Sequence, residues 1–312
     1  MQQRYSTLTK VVLCLFAAAP ILPAAENYQV VHGWPIVPDQ FAFAEVSGVG
    51  VDSQNRVWVF HRGQNPVMAF DGASGKLLMA FGQQLIKQSE GLAVDAQDNI
   101  WLTDIGRHQV FKFAKDGNLL LTLGVQEKAG SDATHFDGPT DVAVARTGEF
   151  FVTDGYGNSR VVKFDKDGKF LLEWGKKGSG PGEFDTPHGI AIDNENRVYV
   201  ADRGNARIQV FDSGGKFLRE FKSDDIGRPW SLTFANDGYL YVVDGGDLKT
   251  GPPDRARVLK MDLEGRVVDR LGTYGKSDGQ FYWPHDVAVA PNGDVYVCDI
   301  NVGMRVQKFI KK

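Results

Sequence analysis

Cysteine is nearly absent: the 312 residues contain 2, Cys14 and Cys298. Cys14 falls in the leader described below, so the folded part has no pair to oxidise. A disulfide scaffold is excluded, and packing alone must hold a chain that is long enough to bury a core. Basic excess is also missing. Lys and Arg number 35 against 39 Asp and Glu, for a net charge of -4. A nucleic-acid binder needs a basic face to displace counterions from phosphates, so that class is excluded. Past residue 25 no apolar run approaches the ~20 residues of a membrane span. Nor does any segment there hold a helical period. What remains is ordinary for a globular protein, 42% hydrophobic and 24% charged, with many glycines at 36.

The first 25 residues differ from the rest. Arg4 and Lys10 give a basic start, residues 11–19 are apolar and uncharged, and residues 20–25 end in small side chains. That order reads as a secretory signal peptide over residues 1–25, with one folded domain over 26–312 and a secreted or periplasmic destination. Val11, Val12 and Leu13 before Cys14 lack the small residues of a lipoprotein cleavage site.

One pattern repeats along the folded part. A short apolar strand, a polar turn and a second strand ending in Asp are followed by a strand with Arg-Val or Gln-Val, an Asp-x-x-Gly turn and a last strand. Gly50, Ala93, Ala143, Ala191, Thr233 and Ala288 mark its six copies, 42 to 55 residues apart. Strings such as Arg197-Val198-Tyr199-Val200-Ala201-Asp202 are rich in β-branched and aromatic residues. Asp165-Lys166-Asp167-Gly168 and Asp262-Leu263-Glu264-Gly265 are turn chemistry. Such repeats predict an all-β, six-bladed β-propeller with one four-stranded blade per copy. The sixth copy stops at its third strand, Val306-Gln307-Lys308-Phe309-Ile310. The segment from Tyr28 to Trp34 is expected to supply the missing outer strand, closing the ring and removing a free edge.

The inner strand of each blade faces the axis of a propeller. Three positions before the six markers stand Ser47, Glu90, Thr140, His188, Trp230 and His285. Blades 2, 4 and 6 therefore carry Glu90, His188 and His285 at one height, about 120° apart in a six-fold ring. Three converging ligands with an open side make a catalytic metal site. The bland alternative is a packed polar tunnel without metal. A second register, just after the second strand, holds His61, Asp104, Asp154, Asp202, Asp244 and Asp299. The aspartates are expected to accept backbone hydrogen bonds. Next in line come Arg62, Ile105, Gly155, Arg203, Gly245 and Ile300, with Tyr156 following Gly155. Arg62 and Arg203 break the run of small or apolar residues. Each is suited either to two-point binding of a carboxylate or to an ion pair with a neighbouring blade.

These strings resemble the NHL-repeat propellers, and more narrowly the peptidyl-α-hydroxyglycine α-amidating lyases. The resemblance rests on Val59-Phe60-His61-Arg62-Gly63, His108-Gln109-Val110-Phe111-Lys112, Pro139-Thr140-Asp141-Val142-Ala143-Val144 and Asp154-Gly155-Tyr156-Gly157-Asn158-Ser159-Arg160. Pro187-His188-Gly189, Ala201-Asp202-Arg203 and Pro284-His285-Asp286 add to it. It implies a zinc held by three histidines, of which His188 and His285 are present and the third is Glu90. Glutamate also ligates zinc, and the same set suits ferrous iron or manganese, while its charge weakens the field on a bound water. Tyr156, Arg62 and Arg203 correspond to the substrate and catalytic residues. A structural calcium would be held by the carbonyls of Val49 and Leu92 and by Asp286. As the residue after His285, Asp286 is expected to point to the opposite side of its strand. The family's two disulfides are missing, with Gly157 and Val210 in two of the cysteine positions, and Trp283 stands where a methionine is expected.

The implied reaction is cleavage of the C–N bond of a peptidyl- or N-acyl-α-hydroxyglycine to an amide and glyoxylate. Tyr156, its pKa lowered by the metal and an arginine, would be the base. A separate hydroxylating monooxygenase would supply the substrate. Two other classes stay open: an exported, non-catalytic propeller that binds proteins or peptides, and a calcium-dependent hydrolase or lactonase, for which the tunnel offers few carboxylates or asparagines.

Overall fold

The computed structural model describes residues 27–246 and 255–312; the expected leader, residues 1–25, lies outside them. Six four-stranded antiparallel sheets stand around an axis. Blade 1 comprises Val46–Val51, Arg56–His61, Val67–Asp71 and Leu77–Phe81. Blade 2 runs through Ser89–Val94, Ile100–Asp104, Gln109–Phe113 and Leu119–Leu123, and blade 3 through Pro139–Val144, Phe150–Asp154, Arg160–Phe164 and Phe170–Trp174. Blade 4 is Pro187–Ile192, Val198–Asp202, Arg207–Phe211 and Phe217–Phe221; blade 5 is Pro229–Phe234, Leu240–Asp244, Arg257–Met261 and Val267–Leu271. Blade 6 has Pro284–Val289, Val295–Asp299 and Arg305–Lys311. Its outer strand is Tyr28–Val30, which pairs Tyr28 with Lys311 and Val30 with Phe309. Both ends of the folded chain thus share a blade, as the repeat count requires.

The closing strand is shorter than expected. Val31 still donates to the Lys308 carbonyl at 2.8 Å, but beyond it the chain leaves the sheet and Trp34 turns inward, its ring 4.9 Å from Tyr296 of blade 6 and 6.4 Å from Phe70 of blade 1. The inward turn buries the indole between two blades. Among the described residues the only helical element is a single 3-10 turn, Arg203–Asn205. No helix there is long and apolar enough to cross a membrane.

The apolar core is divided among the blade interfaces. Trp58, Phe60, Leu92 and Leu102 fill the gap between blades 1 and 2, and Phe151, Val161, Val198 and Val200 that between blades 3 and 4. Middle strands are buried on both faces, whereas the outer strands alternate, as in Phe170–Trp174. This pattern follows from sheets stacked face to face with one wet edge.

The recurring aspartates fasten each blade to the loop that enters it. Asp104 accepts from the backbone N–H of Lys87 at 2.7 Å, Asp154 from Asp137 at 2.8 Å, Asp202 from Asp185 at 2.7 Å and Asp244 from Arg228 at 3.0 Å. Asp299 accepts from Tyr282 at 2.8 Å and from Trp283. In blade 1 the role passes to His61. Its Nε2–H donates to the Asn65 carbonyl at 2.8 Å, so Nδ1 accepts from the N–H groups of Gly63 at 3.1 Å and Ala44 at 3.3 Å. These bonds tie the strand ends to one mouth of the tunnel, where the site residues stand.

Candidate metal centre

Every inner strand changes register near its first residues. The shift falls between Val46 and Gly48, Ser89 and Leu92, Pro139 and Asp141, Pro187 and Ile190, Pro229 and Leu232, and Pro284 and Asp286. A bulge of this kind bends the strand and re-aims the side chains within it. Several of the next residues must be glycine because the neighbouring strand passes so close. A Cβ on Gly91 would stand 2.4 Å from the Thr140 carbonyl oxygen, and one on Gly189 would stand 2.7 Å from Ser231 Cα.

The bulges bring Glu90, His188 and His285 together, with one ligand atom from each within 4.8 Å of the others. Glu90 Oε1 lies 3.0 Å from His188 Nε2 and 3.4 Å from His285 Nε2. Glu90 is wholly buried and both histidines are 3% exposed. The far side of each imidazole is already used. Nδ1–H of His188 donates to the Trp230 carbonyl at 2.8 Å, and Nδ1–H of His285 donates to that of Ser47 at 2.6 Å. A carbonyl only accepts, so each neutral ring carries its proton on Nδ1 and turns a bare Nε2 lone pair to the axis. Burial, then Arg203, pushes the His188 imidazole down to about 4. Burial works against the charge of Glu90, whereas the Arg62 guanidinium, 3.0 Å from its Oε2, favours it. Two imidazole nitrogens and an ionised oxygen therefore face one another in a dry space. Three acceptors without a cation among them would be costly, and this donor set is one that divalent zinc, iron or manganese accepts.

The other three positions of the ring do not join them. Ser47 bonds to Ser89 at 2.8 Å, and Thr140 donates to the Pro187 carbonyl at 2.9 Å. Trp230 lays its ring 5.5 Å from both histidines.

Tyr156 reaches the cluster from blade 3. Its residue is 43% exposed, but the hydroxyl points inward, donating to Glu90 Oε1 at 2.7 Å and lying 3.2 Å from His188 Nε2. The glycines around it are space requirements: a Cβ on Gly155 would be 1.9 Å from the Pro187 carbonyl oxygen, and one on Gly157 2.0 Å from the Asp137 carboxylate. Burial and then Glu90 push the phenol up, while Arg203 pulls it down. Without a cation at the cluster the shift is thus opposite to the lowering expected of a base.

The two arginines differ. Arg203, on the 3-10 turn, lies 4.5 Å over the Trp230 ring and 5.2 Å from that of Tyr156, with Nη1 3.4 Å from the Tyr156 hydroxyl. Among the described residues it has no acidic partner. Arg62 is paired twice, with Glu45 Oε2 at 2.6 Å and Glu90 Oε2 at 3.0 Å. Neither partner is the neighbouring aspartate that a simple strand-end pair would use. Glu45 has no counterpart in the repeat pattern, so the sequence carried no sign of it.

Behind the cluster the tunnel opens into a cavity of about 280 Å³ bordered by Val49, Leu92, Asp141 and Asp286. Asp286 and His285 border the same axial constriction. Consecutive residues of a regular strand would face apart; the bulge at Asp286 removes that alternation. Asp286 accepts from the Val49 N–H at 2.9 Å and from Ser231. Burial pushes its carboxyl up to about 6, and burial with the charge of Asp286 pushes Asp141 well up. Neither carboxylate forms an ion pair among the described residues. Val49, Leu92 and Asp286, the positions expected to hold calcium, thus border one space together with a second acid, Asp141. Asp141 was not singled out because its side chain reaches the axis only through the bulge.

Comparison with known proteins places the chain in a family. Residues 131–298 match the family described as DUF5128, 6-bladed beta-propeller. Peptidyl-alpha-hydroxyglycine alpha-amidating lyase 2 of Drosophila melanogaster is 30% identical over 332 residues, covering 93% of this chain and 77% of that one. The chain belongs to the peptidyl-α-hydroxyglycine α-amidating lyase family. Peptidyl-glycine alpha-amidating monooxygenase B of Xenopus laevis is 36% identical to this lyase-family chain over 299 residues, 85% of this chain and 34% of that one. The chain thus spans about a third of the length of such relatives. A streptogramin B lyase structure superimposes with a TM-score of 0.64 at 18% identity, over 93% of this chain and 100% of that one, which shows the shared fold.

Proposed function

We propose that this lyase-family chain is a metal-dependent enzyme that cleaves the C–N bond of a peptidyl- or N-acyl-α-hydroxyglycine, releasing an amide and glyoxylate. One observation carries the reading: Glu90 Oε1 and the bare Nε2 atoms of His188 and His285 converge, with both imidazoles held by backbone carbonyls on their other side. Zinc, ferrous iron or manganese would be held by these three residues. Calcium would sit behind, held by Val49, Leu92 and Asp286.

A bound divalent ion would supply Lewis acidity toward the α-hydroxyl oxygen of the substrate. The protein's own groups account for the rest. Arg203, without an acidic partner among the described residues and fixed between two aromatic rings, receives the substrate carboxylate. Tyr156, whose hydroxyl stands at the cluster, takes the α-hydroxyl proton as tyrosinate. As the C=O bond of glyoxylate forms, the C–N bond breaks, its electron pair passes to nitrogen, and the tyrosine returns the proton there. No water is consumed and nothing is oxidised. Export to the periplasm or outside the cell, read from residues 1–25, and a separate hydroxylating monooxygenase as the source of substrate complete the proposal.

The test is glyoxylate release from an N-acyl-α-hydroxyglycine by protein loaded in turn with zinc, iron or manganese. Release with at least one ion is expected. Silence with all three, together with activity in a Glu90→His variant, would show that this chain has lost the reaction.

A further inference from the structure

Arg62 and Arg203 occupy equivalent places in blades 1 and 4, yet of the two only Arg203 is without an acidic partner among the described residues. The guanidinium of Arg62 is held on three sides. Nη1 donates to Glu45 Oε2 at 2.6 Å, Nη2 to Glu90 Oε2 at 3.0 Å, and Nε to the Ser89 carbonyl at 3.3 Å. Its own backbone N–H donates to the Glu45 carbonyl at 3.0 Å, which sets the register between the two partners. Oε2 of Glu90 thus faces the guanidinium, while Oε1 faces the imidazoles and the Tyr156 hydroxyl.

We propose that Arg62 is a positioning residue for Glu90, holding Oε2 so that only Oε1 is presented to a metal ion and offsetting the charge glutamate brings where the family resemblance implies histidine. The inference rests on the metal centre of the proposed function, not on the lyase reaction. Glu45 completes it by gripping the other arm of the fork. Arg62 is consequently not the two-point receptor for a substrate carboxylate; that contact falls to Arg203. Removing Arg62 leaves Oε2 buried without a donor, so the carboxylate must turn or bind through both oxygens.

Cobalt(II) is the probe, its affinity measured against a chromophoric chelator and its coordination read from the visible spectrum. Wild type, Arg62→Ala, Glu90→His and the double variant form a cycle. Repulsion between the guanidinium and the ion is common to both backgrounds, so it cancels. Arg62→Ala is expected to weaken cobalt binding about 10-fold or more in the glutamate protein relative to its effect beside histidine, the scale seen when groups that orient metal ligands are removed. The cobalt spectrum should change only in the glutamate background. Equal effects in both backgrounds, within about two-fold, with an unchanged spectrum would overturn the assignment of Arg62 alone. A wild type that binds no cobalt would overturn the metal centre with it. Circular dichroism checks folding. If Arg62→Ala misfolds, Arg62→Lys, which keeps charge but not the fork, decides by the same cycle with a coupling of about three-fold or more expected.

Discussion

Tyr156 stands between the proposed metal ligands and Arg203, and its position depends on its neighbours having no side chain. With the Pro187 carbonyl 1.9 Å from where a Gly155 Cβ would be, the loop can cross toward the axis only as glycine. The hydroxyl then meets Glu90 Oε1 at 2.7 Å, close enough to exchange a proton with whatever is bound there. Glu90 also disfavours a tyrosinate, so under the proposed mechanism Tyr156 would act as base only when a cation and Arg203 outweigh the carboxylate. Tyr156→Phe is therefore expected to keep its metal and lose about 10²–10⁴-fold in turnover, the usual worth of a general base. Glyoxylate release measured beside metal content decides it. A loss under about ten-fold would remove Tyr156 from the reaction.

At the scale of the strand, two devices recur in the blades: the bulge that opens the inner strand and the buried acid that ends the second. Asp202 shows what the second does. It accepts from the Asp185 N–H at 2.7 Å and from Arg207 Nε at 2.7 Å, with both side chains nearly or wholly buried. Asp202→Ala strips the Asp185 N–H and Arg207 Nε of their acceptor, although Glu220 still faces Arg207 Nη1 at 2.8 Å, and should cost about 1–3 kcal/mol, the range for stranding buried donors, read by urea unfolding. A cost below about 1 kcal/mol, the worth of an exposed pair, would contradict the role given to these acids. The register of aspartates was legible in the sequence because strand ends and Asp-Gly turns have local signatures that repeat. The bulges have none. Strict alternation places His285 and Asp286 on opposite faces, and only the altered register shows that both border the axis. The inward turn of Trp34 has no local signature either: its string looks like a strand, but its burial between blades 6 and 1 depends on two residues, Phe70 and Tyr296, far away in the chain.

The whole molecule is a ring whose apolar clusters lie between blades, so closing it through Tyr28–Val30 completes the last blade. Tyr28 adds a hydrogen bond to Tyr241 at 3.1 Å, linking blade 6 to blade 5. A closed ring fixes the distances across its axis, and that lets three residues from alternate blades act as one site. The placement of Glu90, His188 and His285 at one height followed from the repeat spacing. The division of labour between the two arginines did not, because Glu45 lies outside the repeat and Arg62 could be assigned only once its partners stood around it. The most direct test is the metal content of purified residues 26–312, wild type against His188→Ala, measured after incubation with zinc, iron or manganese and removal of free ion. One transition metal ion per chain in the wild type, lost in a folded His188→Ala variant, is the predicted result. A folded wild type that retains no such ion, or a His188→Ala variant that retains as much, would contradict the metal centre.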